Sequence, residues 1–150
     1  DDRLDCNRLY REIFKEEEQK LDEQRQLYQI SDLSRSLLRN YSVSELIKKR
    51  KDNYRMLVET LTENGMNVIF LKDEFVPLAC PIYIDDRDRF RRYLSERRVY
   101  CAVHWPLENT ELCAFKESRN KSEHIISLPV DQRYELEHMR YLQKVLRDYR

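Results

Sequence analysis

Few side chains in this sequence combine a type and a spacing that could do chemistry. Val103-His104-Trp105-Pro106 sets an imidazole, which can hold or pass a proton near neutral pH, beside an indole and a proline. Further on, Ser127-Leu128-Pro129-Val130-Asp131-Gln132-Arg133-Tyr134 brings Arg133, whose fork of N–H donors suits a carboxylate or a phosphate. Each candidate also has a structural reading. His104 at a strand end can satisfy nearby carbonyls, Trp105 can be a core aromatic, Pro106 an edge proline and Asp131 an N-cap of the helix that follows. Cys101 and His104 have the residue types of a thiol nucleophile and its base, but three positions apart on one strand they point to opposite faces. That pairing is set aside. The basic run Lys48 to Lys51 shares its helix with Glu45, Asp52 and Glu59, so a solvated face accounts for it better than an anion site. His124 and His138 have no partner at catalytic spacing.

Several chemistries are excluded by what is scarce. Gly65 is the only glycine, where average usage gives about ten, so a phosphate-cradling loop or dinucleotide turn has no glycines to build it. Cys6, Cys80, Cys101 and Cys113 lie far apart, with no Cys-x-x-Cys pair and no histidine at zinc-finger spacing, and read as buried thiols of a reducing compartment rather than metal ligands. Basic and acidic residues balance to zero net charge, which offers nothing to nucleic acid or an anionic membrane. No apolar run approaches the roughly 18 residues of a membrane span. Asp1-Asp2-Arg3 runs straight into helical periodicity, as expected of a cut inside a longer protein.

The elements that must position these residues follow from period. Leu4, Leu9, Ile13, Phe14 and Leu21 predict a helix with one buried stripe to about Glu23. Ser31 caps a short helix holding Leu33, Leu37 and Leu38, with a break at Asn40. Ser42 and Glu45 have the spacing of a capping box for a third helix, which Gly65 ends as a left-handed cap. The period then changes to strands at 68–71 and 79–84, a helix at 87–97 behind Asp85-Asp86, a third strand at 99–103, a loop of over fifteen residues, a fourth strand at 124–128 stopped by Pro129, and a last helix over 134–149. This predicts one α+β domain over 1–150: N-terminal helices, then ββαββα, a small mixed or antiparallel sheet with helices on one face.

The order and spacing of these segments resemble the C-terminal small domain of the DegT/StrS sugar aminotransferases, fold-type I enzymes dependent on pyridoxal phosphate (PLP). The resemblance runs from about Phe14 to Tyr149. It rests on Lys49-Arg50-Lys51-Asp52-Asn53-Tyr54, Asp85-Asp86-Arg87-Asp88, the histidine motif and the Leu-Pro turn. It implies a parent enzyme that transfers an amino group from an amino acid to a keto-sugar or nucleotide-sugar in sugar biosynthesis, as a cytoplasmic homodimer. It also implies that the Schiff-base lysine and the aspartate on the pyridine nitrogen belong to a large domain absent from this chain. The chain then has no catalytic or cofactor residue of its own and is inactive alone, while His104, Trp105 and Arg133 are substrate-binding candidates. His104 and Arg133 would share one edge of the sheet. The alternative is a stand-alone docking module of the same fold with no active site.

Overall fold

A computed structural model describes residues 2–105, 107 and 111–149, with the side chains of 8–105, 107, 111 and 114–149. Where length leads one to expect a single unit, contacts divide the chain into two compact units, residues 1–41 and 42–150.

The first unit holds α1 (Asp2–Glu23) and α2 (Asp32–Arg39). Helix-spaced pairs support α1, with Arg8 on Glu12 at 3.0 Å and Lys20 on Glu17 at 2.5 Å. Ser31 caps α2 as its sequence predicts, its hydroxyl accepting the Ser34 N–H at 3.1 Å. The stripe of α1 corrects one expectation. Leu9, Ile13, Phe14 and Leu21 are exposed, as is every described side chain from 8 to 41, because the period creates an apolar face but does not supply a surface to cover it.

The second unit runs α3 (Val43–Glu63), β1 (Asn67–Val68), β2 (Ala79–Tyr83), α4 (Arg87–Glu96), α5 (Lys116–His124), β3 (Ile125–Pro129) and α6 (Leu136–Arg147). The capping box at α3 does not form: the Ser42 hydroxyl makes no bond to the helix N–H groups and lies 3.4 Å from that of Ser44. The other end closes as expected, with Gly65 at φ 67°, its N–H on Thr62 O at 3.0 Å and the Met66 N–H on Leu61 O at 2.9 Å. Asp86 caps α4 by accepting the Arg89 N–H at 3.1 Å.

The strands form one antiparallel sheet in the order β1-β2-β3, with Val68 opposite Ile82, Ile82 opposite Ile126 and Cys80 opposite Leu128. Cys80, Ile82, Ile126 and Leu128 are fully buried with Leu57 and Leu61 of α3, Phe90 and Leu94 of α4, and Leu146 of α6. At about 25 cal/mol per Å² of apolar surface removed from water, this shared core holds the second unit together. Among the described residues the architecture is α+β, six α-helices and a three-stranded antiparallel sheet. Among the described residues, no helix is long and apolar enough to cross a membrane.

Three element expectations are corrected. The third strand over 99–103 shrinks to one bridge, Ala102 opposite Ser127, with the Ser127 N–H on Ala102 O at 3.0 Å. Continuing that register sets Tyr100 opposite Pro129, which has no N–H to give. The long loop contains a short 3-10 turn, Glu111–Ala114, and all of α5, so His124 ends a helix instead of opening a strand. α5 is polar throughout and buries only Ser122, leaving no stripe to read. Finally, α6 begins at Leu136 behind Glu135, whose N–H donates to His138 Nδ1 at 3.1 Å. Asp131 is therefore no helix cap. It makes a turn instead, accepting the Arg133 N–H on Oδ1 at 2.9 Å while its carbonyl takes the Tyr134 N–H at 3.1 Å.

Candidate functional site

His104 leaves the sheet just after the Ala102 bridge, half-buried, with Nδ1 3.1 Å from the hydroxyl of Ser127. Ser127 is itself buried on β3, where its N–H fixes the neighbouring segment. One ring nitrogen is thereby engaged, and among the described residues Nε2 has no hydrogen-bond partner. Trp105 follows with its carbonyl accepting from the buried hydroxyl of Ser122 at 2.7 Å, while its indole stays 75% exposed. Arg87 braces Ser122 from α4, Nη1 donating to the Ser122 carbonyl at 2.6 Å. The imidazole and indole centroids are 5.4 Å apart. Two buried serines thus hold the backbone and one ring nitrogen, while the indole stays exposed and imidazole Nε2 is without a hydrogen-bond partner among the described residues. Pro106 lies outside the described residues.

The second candidate is built by α3. Asn53, 4% exposed, donates from Nδ2 to the carbonyls of Asp131 at 3.1 Å and Tyr134 at 3.2 Å, while Arg50 reaches Gln132 Oε1 at 2.8 Å, Pro77 O at 3.0 Å and Asp131 Oδ2 at 3.2 Å. Lys49 pairs with Glu135. The run Lys48 to Lys51 is thus only partly a solvated face: Lys48 points to solvent beside Asp52, whereas Arg50 and Asn53, three positions apart on one side of the helix, clasp the 131–135 turn. Burial pushes the Asp131 carboxyl up, but bonds from the Arg133 guanidinium and N–H, together with the charges of Arg133 and Arg50, outweigh it and hold the group below the ordinary carboxylate range. Arg133 bonds Asp131 Oδ1 through Nε at 2.7 Å and keeps a 79% exposed side chain. Its remaining guanidinium donors have no partner among the described residues.

These two places are not one edge. The 99–104 segment runs antiparallel to β3 through Ala102 and Ser127, so His104 lies beside the start of β3 at Ile125, whereas Arg133 follows its end at Pro129. The shared sheet edge expected of His104 and Arg133 is corrected by that register.

Sequence reading missed Arg50, Asn53, Ser122 and Ser127 as positioning groups. The i, i+3 spacing of Arg50 and Asn53 was a usable signal, but the serines have none, since their roles depend on which segments the fold brings together. Burial pushes the thiols of Cys80 and Cys101 up to about 12, as inert core groups. The side chains of Cys6 and Cys113 lie outside those described.

No lysine of this chain stands in a desolvated setting. A catalytic lysine is desolvated into a cleft so that it can lose its proton, whereas Lys48, Lys49 and Lys51 sit on α3 against Asp52, Glu135 and the carbonyl of Asp73, and none of the chain's nine lysines is buried.

No family model matches the sequence, and no curated protein matches it. Solved structures do. A structure from Streptococcus pneumoniae, solved in PLP and PMP forms, matches in its PMP form with a TM-score of 0.61 at 15% identity, over 69% of this chain and 30% of its own. A sugar aminotransferase from Micromonospora echinospora matches with a TM-score of 0.59, and a DegT DnrJ EryC1 StrS aminotransferase from Brucella abortus with 0.58, each at 16% identity over 69% of this chain and 31% of theirs. The chain therefore spans less than a third of the length of these structures, and over two thirds of its own length it has the fold of a part of the sugar aminotransferases.

Proposed function

We propose that this chain is the C-terminal small domain of a PLP-dependent aminotransferase of the DegT/StrS kind, whose complete enzyme, a cytoplasmic homodimer, moves an amino group from an amino acid to a keto-sugar or nucleotide-sugar. The observation that carries the reading is the fold shared with sugar aminotransferases over 69% of the chain, at a coverage of about 30% of theirs. The order of the histidine motif and the Leu-Pro turn along the sequence supports it. PLP supplies the electron sink and belongs to the large domain, because the lysines here do not fit its Schiff base. What this domain contributes is binding. Ser127 and Ser122 hold the His104–Trp105 turn so that Nε2 and the indole line the substrate cleft, and Asp131 presents the outer donors of Arg133 to a second part of the substrate or of the enzyme.

The test uses the full enzyme that contains this chain. His104→Ala and Trp105→Ala should raise KM for the sugar substrate about tenfold while the PLP absorbance stays in place. An enzyme without PLP absorbance or transamination would sink the reading and favour a docking module. A transaminating enzyme whose kinetics ignore both substitutions would move the substrate contacts elsewhere.

A further inference from the structure

At the far end of β3 from His104 the sheet comes apart. Past the Ala102 and Ser127 bridge, Pro129 offers Tyr100 no N–H, and the two segments separate in front of α6. The gap is a cavity of about 340 Å³, floored by the buried Val99 and Leu142 and walled by the rings of Tyr100, Tyr134 and Tyr141. This is the size and apolar lining of a small-molecule site. One ring is anchored, since the Tyr141 hydroxyl donates to Arg97 O at 3.0 Å and the Arg97 guanidinium in turn lies 3.7 Å over the ring of Tyr93.

Charged residues line it as well. Arg98 and Glu137 both line the cavity, and neither has an ion-pair partner among the described residues, including each other. Arg98 also stands at φ 59°, a left-handed conformation that a side chain other than glycine adopts only at a cost, so the cation is kept where the backbone disfavours it.

We propose that this cavity binds a small aromatic zwitterion, an amino acid with an aromatic side chain: the ring between the tyrosines, the carboxylate on Arg98 and the ammonium on Glu137. The inference rests on the cavity and its unpaired charges and is independent of the aminotransferase reading. The experiment follows backbone amides by ¹H–¹⁵N NMR while the chain is titrated with L-phenylalanine, 3-phenylpropionate, phenethylamine or L-alanine. L-Phenylalanine should shift the amides of Val99, Tyr100 and Leu142. 3-Phenylpropionate, without the ammonium, and phenethylamine, without the carboxylate, should each bind about fivefold more weakly, and L-alanine should leave these amides in place. Arg98→Ala should erase the preference over phenethylamine and Arg98→Lys should restore part of it, while Glu137→Gln should erase the preference over 3-phenylpropionate. Both positions are exposed, so unchanged amides elsewhere report an intact fold. Equal binding of all four probes, shifts confined to other parts of the chain, or no shifts at all would overturn the proposal.

Discussion

Phe14 and Phe90 both sit on helices with an apolar stripe, yet Phe14 is 51% exposed and Phe90 is fully buried. The difference lies in what the rest of the chain supplies. Around Phe90, α3, α6 and the sheet converge on one core, and Tyr149 meets its ring edge-on at 4.7 Å. In the first unit, the described apolar side chains of α1 and α2 remain exposed, from Leu9 to Leu38. Amphipathic period thus reports that a face exists, and only complementary elements decide whether that face is buried.

The comparison predicts its largest contrast at these two rings. Phe90→Ala should cost about 3–5 kcal/mol, since it removes a buried ring and leaves a cavity, whereas Phe14→Ala should change stability by less than about 0.5 kcal/mol. Urea unfolding of both variants measures this, and a Phe14→Ala penalty equal to that of Phe90→Ala would mean that the first unit has a core of its own.

Burial in the second unit extends to its thiols. In the unfolded chain Cys80 and Cys101 lose their protons near 9, while in the folded chain they keep them to about 12. Between those values the unfolded state has released protons that the folded state still holds. Stability is therefore full below about pH 9 and falls as pH rises toward 12, by at most about 3 kcal/mol per pH unit for the two thiols together. Urea midpoints between pH 8 and 11 test the slope. Rapid labelling of either thiol by a thiol reagent at pH 8 without denaturant would show instead that the core is open.

What the sequence made legible follows the same division. Elements with apolar period or a cap were readable: α1, α2 with Ser31, α3 with Gly65, α4 with Asp86, and α6. α5 was not, because Lys116 to His124 carries no apolar stripe and is held by its place in the fold. The 99–103 strand was over-read, because β-branched composition does not reveal that Pro129 will stand opposite Tyr100. For the candidate site, His104 and Trp105 were found as types at a motif, but Ser122 and Ser127, which hold them, are tertiary partners 17 and 23 residues away. His104 and Arg133 lie at different ends of β3 because of strand direction, which periodicity does not encode.

The clasp of α3 on the 131–135 turn gives a third, smaller test. Asn53→Ala should cost about 1–3 kcal/mol, because it removes the buried side-chain donor that the carbonyls of Asp131 and Tyr134 share, leaving Asp131 O with the Tyr134 N–H. Arg50→Lys should fail to rescue Arg50→Ala, since one ammonium cannot reach Gln132, Pro77 and Asp131 at once. Thermal unfolding of the three variants reads both, and full rescue by lysine would reduce the clasp to a charge effect.

The smallest expected effect separates two helix ends that close by the same bonds. After α3, Gly65 at φ 67° lets Met66 reach back to Leu61. After α4, Arg98 at φ 59° does the same for Val99, whose N–H meets Leu94 O at 2.9 Å, with the Arg98 N–H on Ser95 O at 2.9 Å. The geometry is equal but the residue is not, since a Cβ in the left-handed region costs roughly 1 kcal/mol that glycine avoids. Arg98→Gly should therefore raise stability by up to about 1 kcal/mol, less the greater freedom that glycine gives the unfolded chain, and Gly65→Ala should lower it by a similar amount, although a Cβ at Gly65 meets no atom within 4 Å. The second substitution isolates backbone strain from packing, and the first asks whether the arginine side chain compensates for that strain in the folded chain. Urea unfolding at equal pH decides it: a destabilised Arg98→Gly variant would show that the Arg98 side chain contributes more to the fold than its left-handed backbone costs.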